Sequence, residues 1–391
     1  VARVGDVTEL RNRTEEVIRS WDALETGRGR RVVIDYDCAP DDRPVYPAAS
    51  RLDVYQQFTQ LRAMAAEIGS GARDIADVVR AHRSYVAALL GRRDPLSTYL
   101  RDTQGCEAES LPEEHIQSVF DRARQAVDDL GLTWGPDLNR RLNQLEGEMN
   151  AEDAIAQIPE EARKLEPALR ELAGTTAQYT LRIEMMDADD YWAYWLDGVG
   201  DRVRLRFNLR HATFTPTLVR QFALHELLGH ALQSASYAQT CADDPDVPWV
   251  RLISVNLPYQ LLLEGLAQAM PLFLTPDDAH LVARVRLTHY LQLVRAELHL
   301  AVNSGVPLAE CANHARARVP FWTNGTISDT LTDRSADPLL RSYLWSYPAG
   351  VDWWVTLADQ ADDETRKSLL QRVYRRPLTP TQLSQFIARP H

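Results

Sequence analysis

A chain of 391 residues with 45% hydrophobic content is long enough to bury a large core, in one domain or in two lobes around a cleft. Its formal net charge of −12 offers no basic stripe to offset repulsion from phosphates, which excludes a general nucleic-acid binder, and no run of about 18 apolar residues is present to span a membrane. Cys38, Cys106, Cys241 and Cys311 lie far apart with no C-x-x-C pair, so free buried thiols are expected, and with no apolar leader at Val1 the expected location is the cytoplasm.

From residue 6 to about 174 apolar residues recur at three and four, as in Val54-Tyr55-Phe58-Leu61-Met64 and Ile75-Val78-Val79-Val86-Leu89. This predicts about six helices in an N-terminal helical lobe, residues 1–176. Breaks fall at Cys38-Ala-Pro40, Gly69-Ser-Gly71, Asp94-Pro95 and Trp134-Gly135-Pro136. His82 and His115 stand alone here and are read as structural. The second lobe, 177–391, opens with a change of period to two, in Tyr179-Leu181-Ile183, Tyr191 to Trp195 and Val203-Leu205-Phe207. A small antiparallel sheet of about three strands is predicted, with turns at Asp197-Gly198 and Gly200-Asp201. The stretch Arg202–Arg210, which includes Asn208, directly precedes the most chemically loaded helix. It has the position of a strand that pairs with extended substrate; a plain edge strand with arginines facing solvent is the other reading.

Thr215-Pro216 supplies an N-cap and a proline at the first helical position, and the helix is predicted to run to about Ser236. Within it stands His225-Glu226-Leu-Leu-Gly229-His230. In the H-E-x-x-H pattern two histidines four apart bind zinc from one helical face, and the glutamate activates a water. Here the histidines are five apart, which on an ideal helix separates them by roughly 140°. A local π-type turn returns i and i+5 to one face, and Gly229 is the residue expected to absorb the distortion. A polar, proline-rich loop is predicted from Thr240 to Pro248. The six residues resemble the H-E-L-L-G-H signature of dipeptidyl peptidase III, a zinc exopeptidase carrying the same one-residue insertion. They are also similar to the H-E-F-G-H-A-L-H of the thimet oligopeptidase family, and to the H-E-x-x-P-G-H-x-x-Q of a bacterial family of helical proteins, domain of unknown function 885, to which metal-dependent hydrolysis is ascribed.

Glu264 is the only acid in an apolar helical run from about Pro258 to Met270. A buried carboxylate is costly unless paired or bound to metal, so its setting asks for a cation. The segment Glu264-Gly265-Leu resembles the E-G-W-x-x-Y element of the domain-of-unknown-function family, which implies a third metal ligand; a buried partner for Arg295 is the alternative. Gly265 would let two helices approach closely. Further on, Arg295-Ala-Glu297-Leu-His299 is similar to that family's R-x-x-x-D-x-G-x-H, without its Asp-Thr-Gly portion; the resemblance implies His299 as an oxyanion donor or ligand orienter, with a satisfied core histidine as the alternative. Arg341-Ser-Tyr343-Leu-Trp345-Ser-Tyr347-Pro348-Ala-Gly350 resembles R-Y-x-x-x-P-G-Q-A with a shifted order and Gly350 in place of glutamine. Its tyrosines are candidate oxyanion donors, with aromatic packing beside Trp353 and Trp354 as the alternative.

These readings add up to a mainly α, zincin-like helical metallopeptidase fold with a small antiparallel sheet beside the active-site helix. The expected metal is one Zn2+, with iron or manganese as substitutes, on His225, His230 and Glu264. Glu226, His299, Tyr343 and Tyr347 are the catalytic candidates, and Asn208, Arg295 and Arg341 the substrate-binding ones. The expected activity is amide hydrolysis of a small peptide or peptide-like metabolite. A non-hydrolytic Lewis-acid enzyme of a biosynthetic pathway and a catalytically silent, metal-stabilised binding protein are the alternatives.

Overall fold

The computed structural model describes residues 4–187, 194–209 and 213–386. The chain is mainly helical with one small mixed sheet. It opens with α1 (Val4–Thr26), a two-residue strand β1 (Tyr36–Asp37), and the helices α2 (Arg51–Ile68), α3 (Arg73–Leu89), α4 (Leu96–Thr103), α5 (Glu113–Asp129), α6 (Leu138–Glu146) and α7 (Ala151–Ala173). Strands β2 (Thr180–Met186), β3 (Tyr194–Val199) and β4 (Arg202–Asn208) follow. A long helix comes next, built of α8 (Pro216–Phe222), a π-helical stretch Ala223–Ala231 and α9 (Leu232–Asp243). After β5 (Leu252–Ile253) the chain continues as α10 (Gln260–Ala269), α11 (Pro271–Leu274), α12 (Ala279–Asn303), α13 (Leu308–Arg318), α14 (Asn324–Ser335), α15 (Pro338–Tyr343), α16 (Ser346–Gln360), α17 (Asp363–Val373) and α18 (Pro380–Leu383).

The sheet departs from the predicted antiparallel trio. Its order is β2-β4-β3-β1-β5, with β2 parallel to β4 and β1 parallel to β3. Antiparallel pairing is confined to β3 with β4 and β1 with β5. The turn at Gly200-Asp201 closes a hairpin between β3 and β4, as expected, but Asp197-Gly198 lies inside β3, where Gly198 pairs with Val203 on one side and Tyr36 on the other. Tyr191 to Ala193, and Arg210, fall outside the described residues. Because β2 and β3 occupy both edges of β4, that strand has no free ladder to offer an extended substrate, and its role in strand addition is overturned. Its arginines do alternate onto the more exposed face, as the other reading had it, though on an inner strand, and there Arg204 and Arg206 both bind Asp197, at 2.9 and 2.6 Å.

Two apolar cores organise the helices. The larger joins Leu10, Phe58, Val78 and Ile158 to Leu205, Leu227, Leu262, Trp354 and Leu370. The smaller joins Ile116, Val119 and Leu138 to Leu293, Leu298 and Leu331. Segments on either side of residue 176 therefore share both cores. All four cysteines are buried and free. His82 is a core residue, edge-on to Trp21 and stacked on Phe58, with Asn256 Nδ2 3.2 Å from its Nδ1; burial pushes its pKa down to about 3.

Helices α10 and α16 cross in close contact at Gly265 and Gly350. A Cβ on Gly265 would stand 2.5 Å from the carbonyl carbon of Gly350 and 2.6 Å from Trp354. Both helices therefore need glycine at this point. Residue 264, one position away, is fixed in place by that contact.

Candidate metal centre

The long helix starts as the sequence demands. Thr215 accepts a hydrogen bond from the amide of Leu218 and donates its hydroxyl to Glu146, with Pro216 in the first turn. It ends later than expected: Thr240 to Asp243 continue the helix, and the loop begins at Asp244. The π-helical stretch covers the His225–His230 motif and turns both histidines inward. Their Nε2 atoms are 3.1 Å apart and the rings are nearly perpendicular, at 86°. Gly229 serves a different purpose from the one predicted. It has ordinary negative φ, and a Cβ there would stand 2.8 Å from the Cβ of Ala267, so its smallness lets the π-helix lie against α10.

That contact brings Glu264 to the histidines. Its Oε2 lies 3.6 Å from His225 Nε2 and 3.7 Å from His230 Nε2. The same oxygen is buried and has no hydrogen-bond partner, while Oε1 accepts from Tyr343 at 2.8 Å. Arg295 forms no ion pair with it among the described residues, so the arginine-partner reading of Glu264 does not hold. Three donor atoms in a triangle of 3.1, 3.6 and 3.7 Å have the separations of ligands placed about 2.0 Å around one ion. The donor set and the orphaned oxygen both fit a divalent metal. Burial opposes the negative charge of Glu264, but the facing His230 and His225 rings hold its carboxyl well below the usual range. Glu226, 4% exposed, sits alongside with Oε1 3.7 Å from His225 Nε2, and burial pushes its pKa up.

All four residues line a cavity of ≈ 680 Å³. Its wall also includes Arg295, Tyr343 and Tyr347, and it extends to Asp35 and Tyr36 near β1 and to Arg334 on α14. The two tyrosine hydroxyls are 2.8 Å apart. Since the Tyr343 proton is given to Glu264, Tyr347 is the donor in that pair.

Three predicted site residues are elsewhere. His299 follows Arg295 by one helical turn on α12, and there Trp345 seals it edge-on with ring centroids 5.4 Å apart. It is fully buried, neither ring nitrogen has a hydrogen-bond partner, and burial drives its pKa well below normal. Arg341 is two residues from Tyr343 and so on the opposite face of α15. It donates to Asn303 at 2.6 Å and to the carbonyl of Asp94 at 3.0 Å, and lies over the ring of Tyr99. Asn208 is fully buried at the end of β4, opposite Met186, and is not part of the cavity wall. Conversely, sequence reasoning missed Arg334 and Asp35, which stand in no periodic or motif-like context. A second cluster, His115, His289 and Asp352, is also compact, but both Nε2 atoms lie 2.7 Å from one oxygen of Asp352, so hydrogen bonding accounts for it.

No family model and no curated protein matches this chain. Among solved structures it is similar to a chain from Colwellia psychrerythraea described as a "putative lipoprotein", at 14% identity and a TM-score of 0.56. The likeness covers 87% of this chain and 63% of that one, so this chain spans less than two thirds of its neighbour's length. At this identity the comparison speaks to the fold alone. Among the described residues no helix is long and apolar enough to cross a membrane.

Proposed function

We propose that this chain is a metal-dependent hydrolase of zincin-like helical fold that cleaves an amide bond in a small peptide or peptide-like metabolite. The observation that carries the reading is the convergence of His225, His230 and the partnerless oxygen of Glu264 beside Glu226 on one cavity wall. Two imidazoles and one carboxylate suit zinc best, and iron or manganese accept the same donors. Such an ion, when bound, polarises a carbonyl and makes water more acidic. Glu226 takes the proton of the attacking water on a carboxylate oxygen and passes it to the leaving nitrogen. Tyr343 holds the Glu264 carboxylate so that Oε2 stays turned toward the histidines, which makes it a positioning residue. Tyr347 and Arg295 face the cavity and are placed to meet substrate. A purely structural metal site would need no base such as Glu226, which favours catalysis over a silent binding role.

Elemental analysis of purified wild-type and His225→Ala proteins comes first, with about one metal per wild-type chain expected and little in the variant. A peptide-mixture cleavage screen then compares wild type with Glu226→Gln. The variant should keep its metal and lose at least about a hundredfold in turnover, the scale of a general base. Absence of stoichiometric metal from wild type would remove the basis of the proposal. Near-normal turnover by metal-loaded Glu226→Gln would instead move the non-hydrolytic Lewis-acid alternative to first place.

A further inference from the structure

We infer that Arg295 and Arg334 form a receptor for a singly charged carboxylate on the molecule that enters this cavity. Two other arginines near this cavity are neutralised by carboxylates. Arg284, on the same wall, binds Glu146 at 2.7 Å, and Arg220 binds Asp278 at 3.0 Å. Arg295 and Arg334, both on the cavity wall, have no such ion pair among the described residues. Arg334 is 5% exposed; its Nε has no hydrogen-bond partner, and Nη1 reaches only the Thr330 carbonyl of its own helix, at 3.4 Å. Arg295 lies over the ring of Trp322, 5.2 Å from its centroid, and makes no ion pair among the described residues. Burial lowers their pKa values to about 9 and about 10, with Arg295 adding to the effect on Arg334, yet both remain charged at neutral pH.

Keeping two guanidinium groups without a carboxylate in ion-pair reach on one cavity wall is unfavourable unless an anion completes them. Guanidinium forks match a planar carboxylate in two-point hydrogen bonding. Asp329 and Asp333 lie on the same wall, on α14 with Arg334; neither is within ion-pair distance of either arginine among the described residues, and Asp333 only partly offsets the charge of Arg334. Their charge disfavours a multiply charged group such as phosphate and leaves a carboxylate as the better guest. That this carboxylate belongs to a peptide-like substrate rests on the function proposed above; that the pair binds an anion does not.

The test is calorimetric titration with N-acetyl-alanyl-alanine and with its C-terminal amide, using protein as purified and after chelator treatment. The acid is expected to bind at least about tenfold more tightly than the amide in both preparations, and Arg295→Gln and Arg334→Gln should each abolish the preference. Equal binding of acid and amide, or no binding of the acid, overturns the inference. So does a preference that disappears on chelation or survives in both variants, since the carboxylate would then be held by metal. A wild-type protein that holds no stoichiometric metal as purified, yet still prefers the acid, would sink the hydrolytic reading and leave this one standing. As a separate check, Arg334→Met should melt no lower than wild type without anion, because it removes an uncompensated charge; a fall of more than about 5 °C would mark the residue as structural and overturn the inference.

Discussion

Replacing Tyr343 by phenylalanine removes one oxygen atom and tests whether the Glu264 carboxylate is held for metal. In the wild type that hydroxyl donates to Oε1 at 2.8 Å, while Oε2 is left without a partner between two histidines. Hydrogen bonds to charged groups contribute about 1.5–3 kcal/mol. Much of that energy fixes the rotamer that points Oε2 at His225 and His230, so its loss should appear in metal affinity. Converted at 1.4 kcal/mol per decade, the range is about 10- to 100-fold, which matches what removal of ligand-orienting partners costs in metal sites generally. A competitive zinc titration against a chromophoric chelator measures it, with thermal unfolding of the metal-free proteins as control. Tyr347→Phe should lose less, because the 2.8 Å contact of that hydroxyl is with Tyr343, whereas it is the Tyr343 hydroxyl that donates to Oε1 at 2.8 Å. A zinc affinity for Tyr343→Phe within about threefold of wild type would refute the assignment of Tyr343 as the residue that orients Glu264.

Gly265→Ala should destabilise the fold by about 1–3 kcal/mol or more, because the new Cβ meets backbone of α16 at 2.5 Å and the helices must part; an unchanged urea midpoint would show the crossing to be looser than described. The Asp352 cluster gives a pH dependence. Hydrogen bonding to Asp352 raises the His115 pKa against the opposing effects of burial and Arg122, and the two histidines hold Asp352 well below the usual range despite its burial. The His115 contribution is complete below its unfolded pKa near 6.5 and is lost as pH rises through the raised value. That of Asp352 is present above about 4 and is lost as pH falls through its depressed value. Across the same helices Asp359 pairs with both Arg122 and Arg286. The stability gap between wild type and Asp352→Asn should therefore be larger at about pH 5.5 than at about pH 8.5; a gap independent of pH would discard the linkage.

Sequence alone determined the local features of this protein. Thr215-Pro216 dictated where the long helix begins, since cap and proline act within one turn. Histidines five apart, if they were to share a face, required a π-type distortion, because 3.6 residues per turn permits nothing else. A single acid in an apolar run marked Glu264 as a group in need of a cation.

Tertiary structure decided what lies opposite each of these. A two-residue strand at Tyr36–Asp37 carries no periodicity, yet its pairing with β3 and β5 makes the sheet mixed, and β2 closes the edge of β4 that the sequence left open. On α12, apolar on several faces, nothing local distinguishes Arg295 at the cavity from His299 beneath Trp345, because the difference is made by the element that covers each turn. Gly229 read as the residue that absorbs the π-type distortion, and its smallness proved to make room for Ala267. Arg334 gave no signal, since a charged residue on a helix looks solvated until the neighbouring helices enclose it without supplying a partner. Spacing along the chain sets which side chains share a face; which face meets metal, cavity or core depends on contacts between residues far apart in sequence, and those are fixed only when the helices pack.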